Sequence, residues 1–342
     1  MYKINFQKPI HIHFIGIGGI SMSGLAEILL EEGFTVSGSD AKESPLTKKL
    51  ESEGAVIHYG QCAENITDDI NCVVYTAAIN KSNPELMEAV GKKIPMLTRA
   101  ELLGQLMKNY DTPIAVSGTH GKTTTTSMIS EVLLAADMDP TISVGGILKT
   151  IGGNIRVGKS GNFITEACEY TNSFLHFYPK ISVILNIEED HLDFFKDLED
   201  IRHSFHQFSA LLPSDGTLII NGDIKDYQEI YEGLDCNVIT YGSSAEFDYS
   251  ATEIQYDEKG FVSFELLKHN TSCGRVQLSV TGDHNVSNAL AAIATAELLG
   301  IPMDTIRKGL LSFSGTDRRF EYKGTFNGVT VVDDYAHHPT EL

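Results

Sequence analysis

The sequence predicts an α/β protein with two parallel-sheet nucleotide-binding domains in tandem, the second carrying an antiparallel β portion. Three observations predict it. Short apolar runs alternate with amphipathic stretches through most of the chain, the βαβ rhythm of a parallel sheet. Glycine-rich loops stand at two strand-to-helix junctions, Gly16–Gly24 and Gly118–Thr123. Between about Tyr249 and Val280 the rhythm gives way to alternating segments without helical periodicity, the mark of antiparallel strands.

In order along the chain, Ile10–Ile15 reads as a buried strand and Ser23–Glu32 as a helix. Thr35–Ser39 is a strand, Leu46–Glu53 a helix, Cys72–Thr76 a strand and Arg99–Lys108 a helix. The turn-forming run Asn109-Tyr110-Asp111-Thr112-Pro113 then reads as a linker. The rhythm restarts with a strand at Ile114–Ser117 and a helix at Thr123–Ala136. Phe163–Ala167, Ile181–Ile187, Thr217–Asn221 and Val238–Tyr241 are further strands. Asn285–Leu299 is an alanine-rich helix stopped by Gly300 and Pro302. Val329–Val332 is an apolar strand running into Asp333-Asp334, with no partner strand left after it. It reads as an added edge strand or as the opening of a further domain.

At 342 residues and 42% hydrophobic, the chain can bury two cores. It has 26 Lys and Arg against 46 Asp and Glu, a formal charge of −20, which disfavours a nucleic-acid partner and an anionic membrane surface. A phosphorylated small ligand, which feels only its pocket, is not excluded. Even the apolar run Ala289–Leu299 is broken by Glu297, and the N-terminus lacks the long apolar core of a signal peptide. Five scattered cysteines without a C-x-x-C pattern fit reduced thiols. These features predict a cytoplasmic protein.

The first loop, Gly16-Ile17-Gly18-Gly19-Ile20-Ser21, is placed so that glycine backbones and a helix N-terminus can meet a diphosphate. Asp40, ending the second strand, stands where a ribose-binding acid would sit. Ser21 occupies the third glycine position of G-x-G-x-x-G, so the residues leave NAD and a UDP-sugar both open. The second loop, Gly118-Thr119-His120-Gly121-Lys122-Thr123-Thr124, follows a strand and opens a helix. Its amides can cradle phosphate oxygens, Lys122 can reach β- and γ-phosphates, and Thr123 can hold Mg²⁺. Val116 stands where a Walker-type motif has its first glycine. The loop argues that ATP is consumed. Glu166 and His191 stand at the ends of further strands, in Glu166-Ala167-Cys168-Glu169 and Asn186-Ile187-Glu188-Glu189-Asp190-His191, where ligands to nucleotide-bound Mg²⁺ would come from. Asn285 and Asn288 open a helix, and capping is sufficient reason for an asparagine there. Arg318-Arg319 follows Gly315-Thr316-Asp317, and on residues alone is a surface charge pair.

In this order these motifs, with Asp333-Asp334-Tyr335-Ala336-His337-His338-Pro339-Thr340-Glu341, closely resemble those of the Mur ligases. The resemblance covers essentially the whole chain, and its most specific parts are the G-T-H-G-K-T loop and the D-D-Y-A-H-H-P-T-E ending. It implies a Rossmann-like UDP-sugar domain over 1–110, a P-loop-type ATP domain over 111–322, and a stub of a third domain over 323–342. It gives Gly16, Gly18, Gly19, Ile20, Ser21 and Asp40 to the UDP-sugar. Gly118, Thr119, His120, Gly121, Lys122, Thr123, Thr124, Asn285, Asn288 and Asp333 go to ATP; Thr123, Glu166 and His191 go to Mg²⁺. Lys122, Glu166, His191 and Arg319 become the catalytic set, with Arg319 reaching the transferred phosphate. Cys168, Tyr170 and Thr171 depart from the more acidic Glu-Ala-Asp-Glu-Ser-Asp of many relatives, and Arg202, His203 and His206 occupy the stretch where several relatives carry a carbamylated lysine.

The reaction so implied is ATP-dependent amide formation in peptidoglycan precursor synthesis. The lactyl carboxylate of UDP-N-acetylmuramate takes the γ-phosphoryl group, and the amine of L-alanine then displaces phosphate. A third domain of roughly a hundred residues is also implied, so the chain is expected to bind nucleotide ligands with little ligase turnover. A Mur-type ligase recycling murein peptides, an NAD-type oxidoreductase resting on the first loop alone, and a plain nucleotide-binding module are the competing readings.

Overall fold

A computed structural model describes residues 2–76, 78–316 and 321–334. The chain divides into two compact units, Met1–Tyr110 with His176–Tyr178, and Asp111–Leu175 with Pro179–Leu342.

The first unit is built on a five-stranded parallel sheet. Its spatial order is Val56–Tyr59, Thr35–Asp40, His11–Ile15, Cys72–Tyr75, Met96–Thr98. This is the doubly wound dinucleotide-binding order, in which the first strand is central and its carboxyl end faces a ligand crevice. The strand fits that place because Ile12, Phe14 and Ile15 are buried on both faces of the sheet. Its register with the second strand sets Ile15 opposite Ser39, and that with the fourth sets Ile15 opposite Tyr75, so three strand ends open together.

The second unit holds a ten-stranded mixed sheet. From one edge it runs Thr271–Thr281, Phe261–Lys268, Tyr249–Tyr256, Asn237–Gly242, Thr217–Asn221, Ile181–Ile184, Thr112–Ser117, Asn162–Glu166, Thr141–Leu148, Gly153–Arg156. The strands from Tyr249–Tyr256 through Thr141–Leu148 pair in parallel, and the two edges pair antiparallel. Thr112–Ser117 lies between Ile181–Ile184 and Asn162–Glu166, so the Gly118 loop emerges between two neighbouring strand ends. Helices Lys122–Ala135, His284–Leu298 and Met303–Ser312 cover the sheet. Their faces join one apolar core running from Ile114 and Val132 to Phe264 and Ile306. The alanines of His284–Leu298 permit close approach; seven residues from Ala289 to Thr295 in that helix are all essentially buried.

Two expectations need correction. Val329–Asp333 does have a partner: the preceding segment Glu321–Phe326 pairs with it as an antiparallel hairpin. Asn285 is not the N-cap of its helix. The cap is Asp283, and Asn285 sits inside the first turn, its Nδ2 donating back to the Thr281 carbonyl (2.7 Å). The strands Thr141–Leu148 and Gly153–Arg156, absent from the sequence reading, lie on one side of the sheet. Among the described residues no helix is long and apolar enough to cross a membrane.

Candidate active site

In the first unit, Gly16–Gly19 turns from the central strand into helix Ile20–Glu31. Gly16 N and Ile17 N both donate to the Ser39 carbonyl (2.8 and 3.0 Å). Gly18 N donates to Asp40 Oδ2 (2.8 Å). A Cβ on Gly18 would stand 2.8 Å from that oxygen, so the close approach of loop to carboxylate requires glycine. Asp40, expected to bind ribose, is thus a brace of the loop in this structure. The helix begins at Gly19 without a side-chain cap, whereas Pro45–Ser52 and Arg99–Met107 have capping boxes and Pro84–Gly91 is capped by Asn83. An N-terminus left without a capping side chain is open to an anion. Ile20 is exposed at the mouth, and Ser21 Oγ accepts from Arg99 Nη1 (3.0 Å). Arg99 was assigned no role from the sequence; it brings a guanidinium to a loop suited to phosphates.

In the second unit, the Gly118–Gly121 loop enters helix Lys122–Ala135, again without a side-chain cap. Gly121 takes φ +83°, and a Cβ there would meet Asn288 Oδ1 at 2.7 Å, so both backbone and contact select glycine. Asn288 is fixed in turn, its Nδ2 donating to Asn285 Oδ1 (3.0 Å). The structure therefore brings Asn285 and Asn288 to the phosphate loop as a buried pair. Thr124 lies in the helix's first turn. The loop is pinned from the other side by the strand exit at 186–188. Asn186 bonds both backbone groups of His120, accepting from its N–H (2.7 Å) and donating to its carbonyl (3.1 Å). Thr119 N donates to the Asn186 carbonyl, Glu188 N donates to Thr119 Oγ1, and His120 Nε2 lies 3.6 Å from Glu188 Oε2.

Lys122 Nζ donates to the Gly118 and Thr119 carbonyls and to both oxygens of Glu169 (3.1 and 3.0 Å). Glu169 is only 2% exposed. Thr123 Oγ1 donates to Glu166 Oε2 (3.1 Å), while Glu166 Oε1 accepts from Gly145 N. The three predicted metal residues are thus placed in two groups. Thr123 and Glu166 are together; His191 Nε2 lies 3.9 Å from Glu169 Oε1 and 3.7 Å from Asp190 Oδ2. Tyr170 stacks over His191, ring centres 4.5 Å apart, and donates to Asp193 Oδ2 (2.8 Å), a bond that holds the phenol pKa above its ordinary value. Thr171, Asn172 and His191 all have φ between 53° and 56°, a left-handed conformation that costs about 1–3 kcal/mol per non-glycine residue and clusters at functional sites.

Among the described residues, no group of three or more His, Cys, Asp or Glu could hold a metal by itself. Thr123 and Glu166 nevertheless suit Mg²⁺, which prefers oxygen ligands and completes its shell with phosphates and water. Arg319 lies outside the described residues. Asp333 ends its hairpin strand, its carboxylate 3.9 Å from Lys323 Nζ. Two residues to which the sequence assigns no role, Glu169 and Asn186, bind the loop and its lysine directly. Both stand in acidic strand-end motifs already singled out, and their strand position was the available signal.

Both units match known family domains. Residues 116–296 match the Mur ligase middle domain, and residues 11–111 match the Mur ligase family catalytic domain. The chain belongs to the Mur ligase family. It is 63% identical, over all of its length and 74% of the relative's, to the UDP-N-acetylmuramate–L-alanine ligase of Agathobacter rectalis. It is 61% identical to that of Lachnospira eligens, over all of this chain and 75% of the relative. Among solved structures, the UDP-N-acetylmuramate–alanine ligase MurC of Thermotoga maritima superposes with TM-score 0.81 at 30% identity, over 97% of this chain and 75% of that one. A murein peptide ligase of Psychrobacter arcticus gives TM-score 0.81 at 28% identity, over 97% of this chain and 74% of that one. As a Mur ligase the chain is an amide-forming ligase of peptidoglycan precursor synthesis, which gives the Gly118–Thr123 loop a use that an oxidoreductase would not.

Proposed function

We propose that this Mur ligase joins L-alanine to the lactyl carboxylate of UDP-N-acetylmuramate with cleavage of ATP, in the cytoplasm. The observation that carries the proposal is the pair of uncapped glycine loops, one in each unit, the second with Lys122, Thr123 and Glu166 at its mouth. One loop takes the UDP diphosphate and the other the ATP phosphates. L-alanine as the amine is supported by 63% identity to a ligase of that specificity.

Phosphoryl transfer to a carboxylate brings anionic groups together, so catalysis is mainly positioning and charge neutralisation. Lys122, tethered by two carbonyls and Glu169, places its ammonium inside the loop without a search of its rotamers. Thr123 and Glu166 would hold Mg²⁺, which when bound adds further neutralisation of phosphate charge; His191 borders the same site through Glu169. Asn186 takes the Thr119 and His120 amides, which fixes the loop and leaves the helix N-terminus at Lys122–Thr124 to meet the phosphates. Arg319 is assigned to the transferred phosphate and Asp333 to ATP by resemblance alone.

Calorimetric titration with UDP-N-acetylmuramate, Mg·ATP and NADH tests the reading. Saturable binding of the first two without mutual competition, and none of NADH, is expected. Tight NADH binding, or competition between UDP-sugar and ATP for one site, would contradict it. Whatever phosphate release the chain sustains is expected to depend on L-alanine; greater release with a murein tripeptide would favour the recycling ligase.

A further inference from the structure

Beneath the diphosphate loop of the first unit lies a buried polar cluster for which the reaction has no direct use. Glu85 opens helix Pro84–Gly91 and is fully buried. Its Oε2 accepts from Ser39 Oγ (2.5 Å) and its Oε1 from Asn65 Nδ2 (2.5 Å). His13, also fully buried, places Nε2 3.8 Å from Glu85 Oε1, and its Nδ1 meets Ser37 Oγ at 2.8 Å. Ser37 Oγ is shared with His11 Nε2 (2.7 Å), whose Nδ1 reaches the exposed Asp69 (2.7 Å).

A buried carboxylate is a costly thing for a fold to keep when an apolar residue of similar volume would serve packing equally well. The cluster's connections indicate what it achieves. Ser39 is its only member whose backbone touches the glycine loop: the Ser39 carbonyl accepts the Gly16 and Ile17 amides together (2.8 and 3.0 Å). The next residue, Asp40, accepts the Gly18 amide (2.8 Å). Asn65 fastens the other flank, its Nδ2 also donating to the Gly60 carbonyl (3.0 Å) while Gly60 N donates to the Asp40 carbonyl (2.9 Å). Glu85 therefore grips the Ser39–Asp40 strand end from both sides, and that strand end sets the loop.

We infer that Glu85 is a positioning residue for the diphosphate of the UDP-sugar, acting through Ser39 on the Gly16–Gly18 backbone. The inference rests on the first loop being the UDP-sugar site. Glu85 removes the freedom of a three-amide turn to relax when empty, so less ordering remains to be done on binding. Asn65 holds the carboxylate in the orientation that Ser39 requires, and the His13 ring lies beside it.

Four proteins test this by calorimetry with UDP-N-acetylmuramate and, separately, Mg·ATP: wild type, Glu85→Ala, Ser39→Ala and the double variant, each checked for a cooperative thermal transition. Glu85→Ala and Ser39→Ala are each expected to weaken UDP-sugar binding about tenfold and to leave ATP affinity within about twofold. The double variant is expected to be no weaker than the poorer single one, because both lesions cut the same link. Glu85→Gln, whose amide oxygen still accepts from Ser39 but whose NH2 cannot accept from Asn65, is expected to recover part of the affinity, and with Ser39→Ala it carries the test should Glu85→Ala not fold. Unchanged UDP-sugar affinity, full additivity, or equal loss of UDP-sugar and ATP affinity would overturn the inference. Failure of wild type to bind UDP-N-acetylmuramate would instead overturn the assignment of the first loop.

Discussion

Lys122 Nζ lies 3.0 Å from Glu169 Oε2, so the cation of the phosphate loop is held against a carboxylate that is almost wholly buried. Removing one partner of such a pair strands the other charge away from water. Lys122→Met is therefore expected to lower stability by about 3 kcal/mol, read as the denaturant midpoint. Adding Glu169→Leu should restore most of that stability without restoring ATP binding. A Lys122→Met protein as stable as wild type would show that Glu169 is not dependent on the lysine.

Gly121 meets two constraints, a left-handed backbone and the oxygen of Asn288 at 2.7 Å from any added Cβ. Gly121→Ala is expected to cost about 1–2 kcal/mol in backbone strain and to weaken ATP binding at least tenfold by displacing the loop. Gly121→Ala with Asn288→Ala should regain only the part due to contact. Full recovery of stability in the double variant, measured as the denaturant midpoint, would mean that backbone conformation is not limiting.

Tyr170 touches His191 with its ring and Asp193 with its hydroxyl. Tyr170→Phe keeps the ring and is expected to leave ATP affinity within about twofold. Tyr170→Ala removes both contacts and is expected to lower affinity several-fold, with a changed His191 resonance in the NMR spectrum. Equal effects of the two substitutions would assign the contribution to the hydroxyl instead.

Glu131 lies in helix Lys122–Ala135, nearly buried, with its carboxylate accepting from Thr150 and Ser312. Burial raises its pKa above the ordinary glutamate value of about 4.5; the two hydroxyls oppose the shift but do not cancel it. The folded state thus holds a proton more tightly than the unfolded chain. The resulting stability is fully present below pH 4.5 and is lost as pH rises through the raised folded value. Glu131→Gln is expected to be more stable than wild type near pH 7, with the gain shrinking towards pH 4. Parallel melting-temperature curves for the two proteins across that range would contradict this.

How much of the site could be read in advance depended on how local each constraint is. The two glycine loops were legible because their turns are dictated by adjacent residues: Gly16–Ser21 and Gly118–Thr123 each follow an apolar strand and open a helix. The partners of Glu85, Asn186 and Glu169 are not legible locally, because Ser39, His120 and Lys122 are 46, 66 and 47 residues away and meet them only in the folded chain. Thr141–Leu148 and Gly153–Arg156 carry no clear strand pattern in the sequence, since Gly145, Gly146, Gly152 and Gly153 interrupt it, whereas pairing with Asn162–Glu166 and with each other supplies the strand context. Asn285 was read as a cap from its residue type; its amide instead reaches back to Thr281 and forward to Asn288, a choice the three-dimensional loop makes. Val329–Asp333 pairs not with a following strand but with Glu321–Phe326 just before it.

ATP and the UDP-sugar are expected to occupy loops in separate units of one ligase. Calorimetric titration of Lys122→Ala tests it most directly, with wild type as reference. ATP affinity is expected to fall at least a hundredfold, about 2.7 kcal/mol, while UDP-N-acetylmuramate affinity stays within about twofold. Retained ATP binding, or loss of both ligands together in a protein that still melts cooperatively, would contradict it.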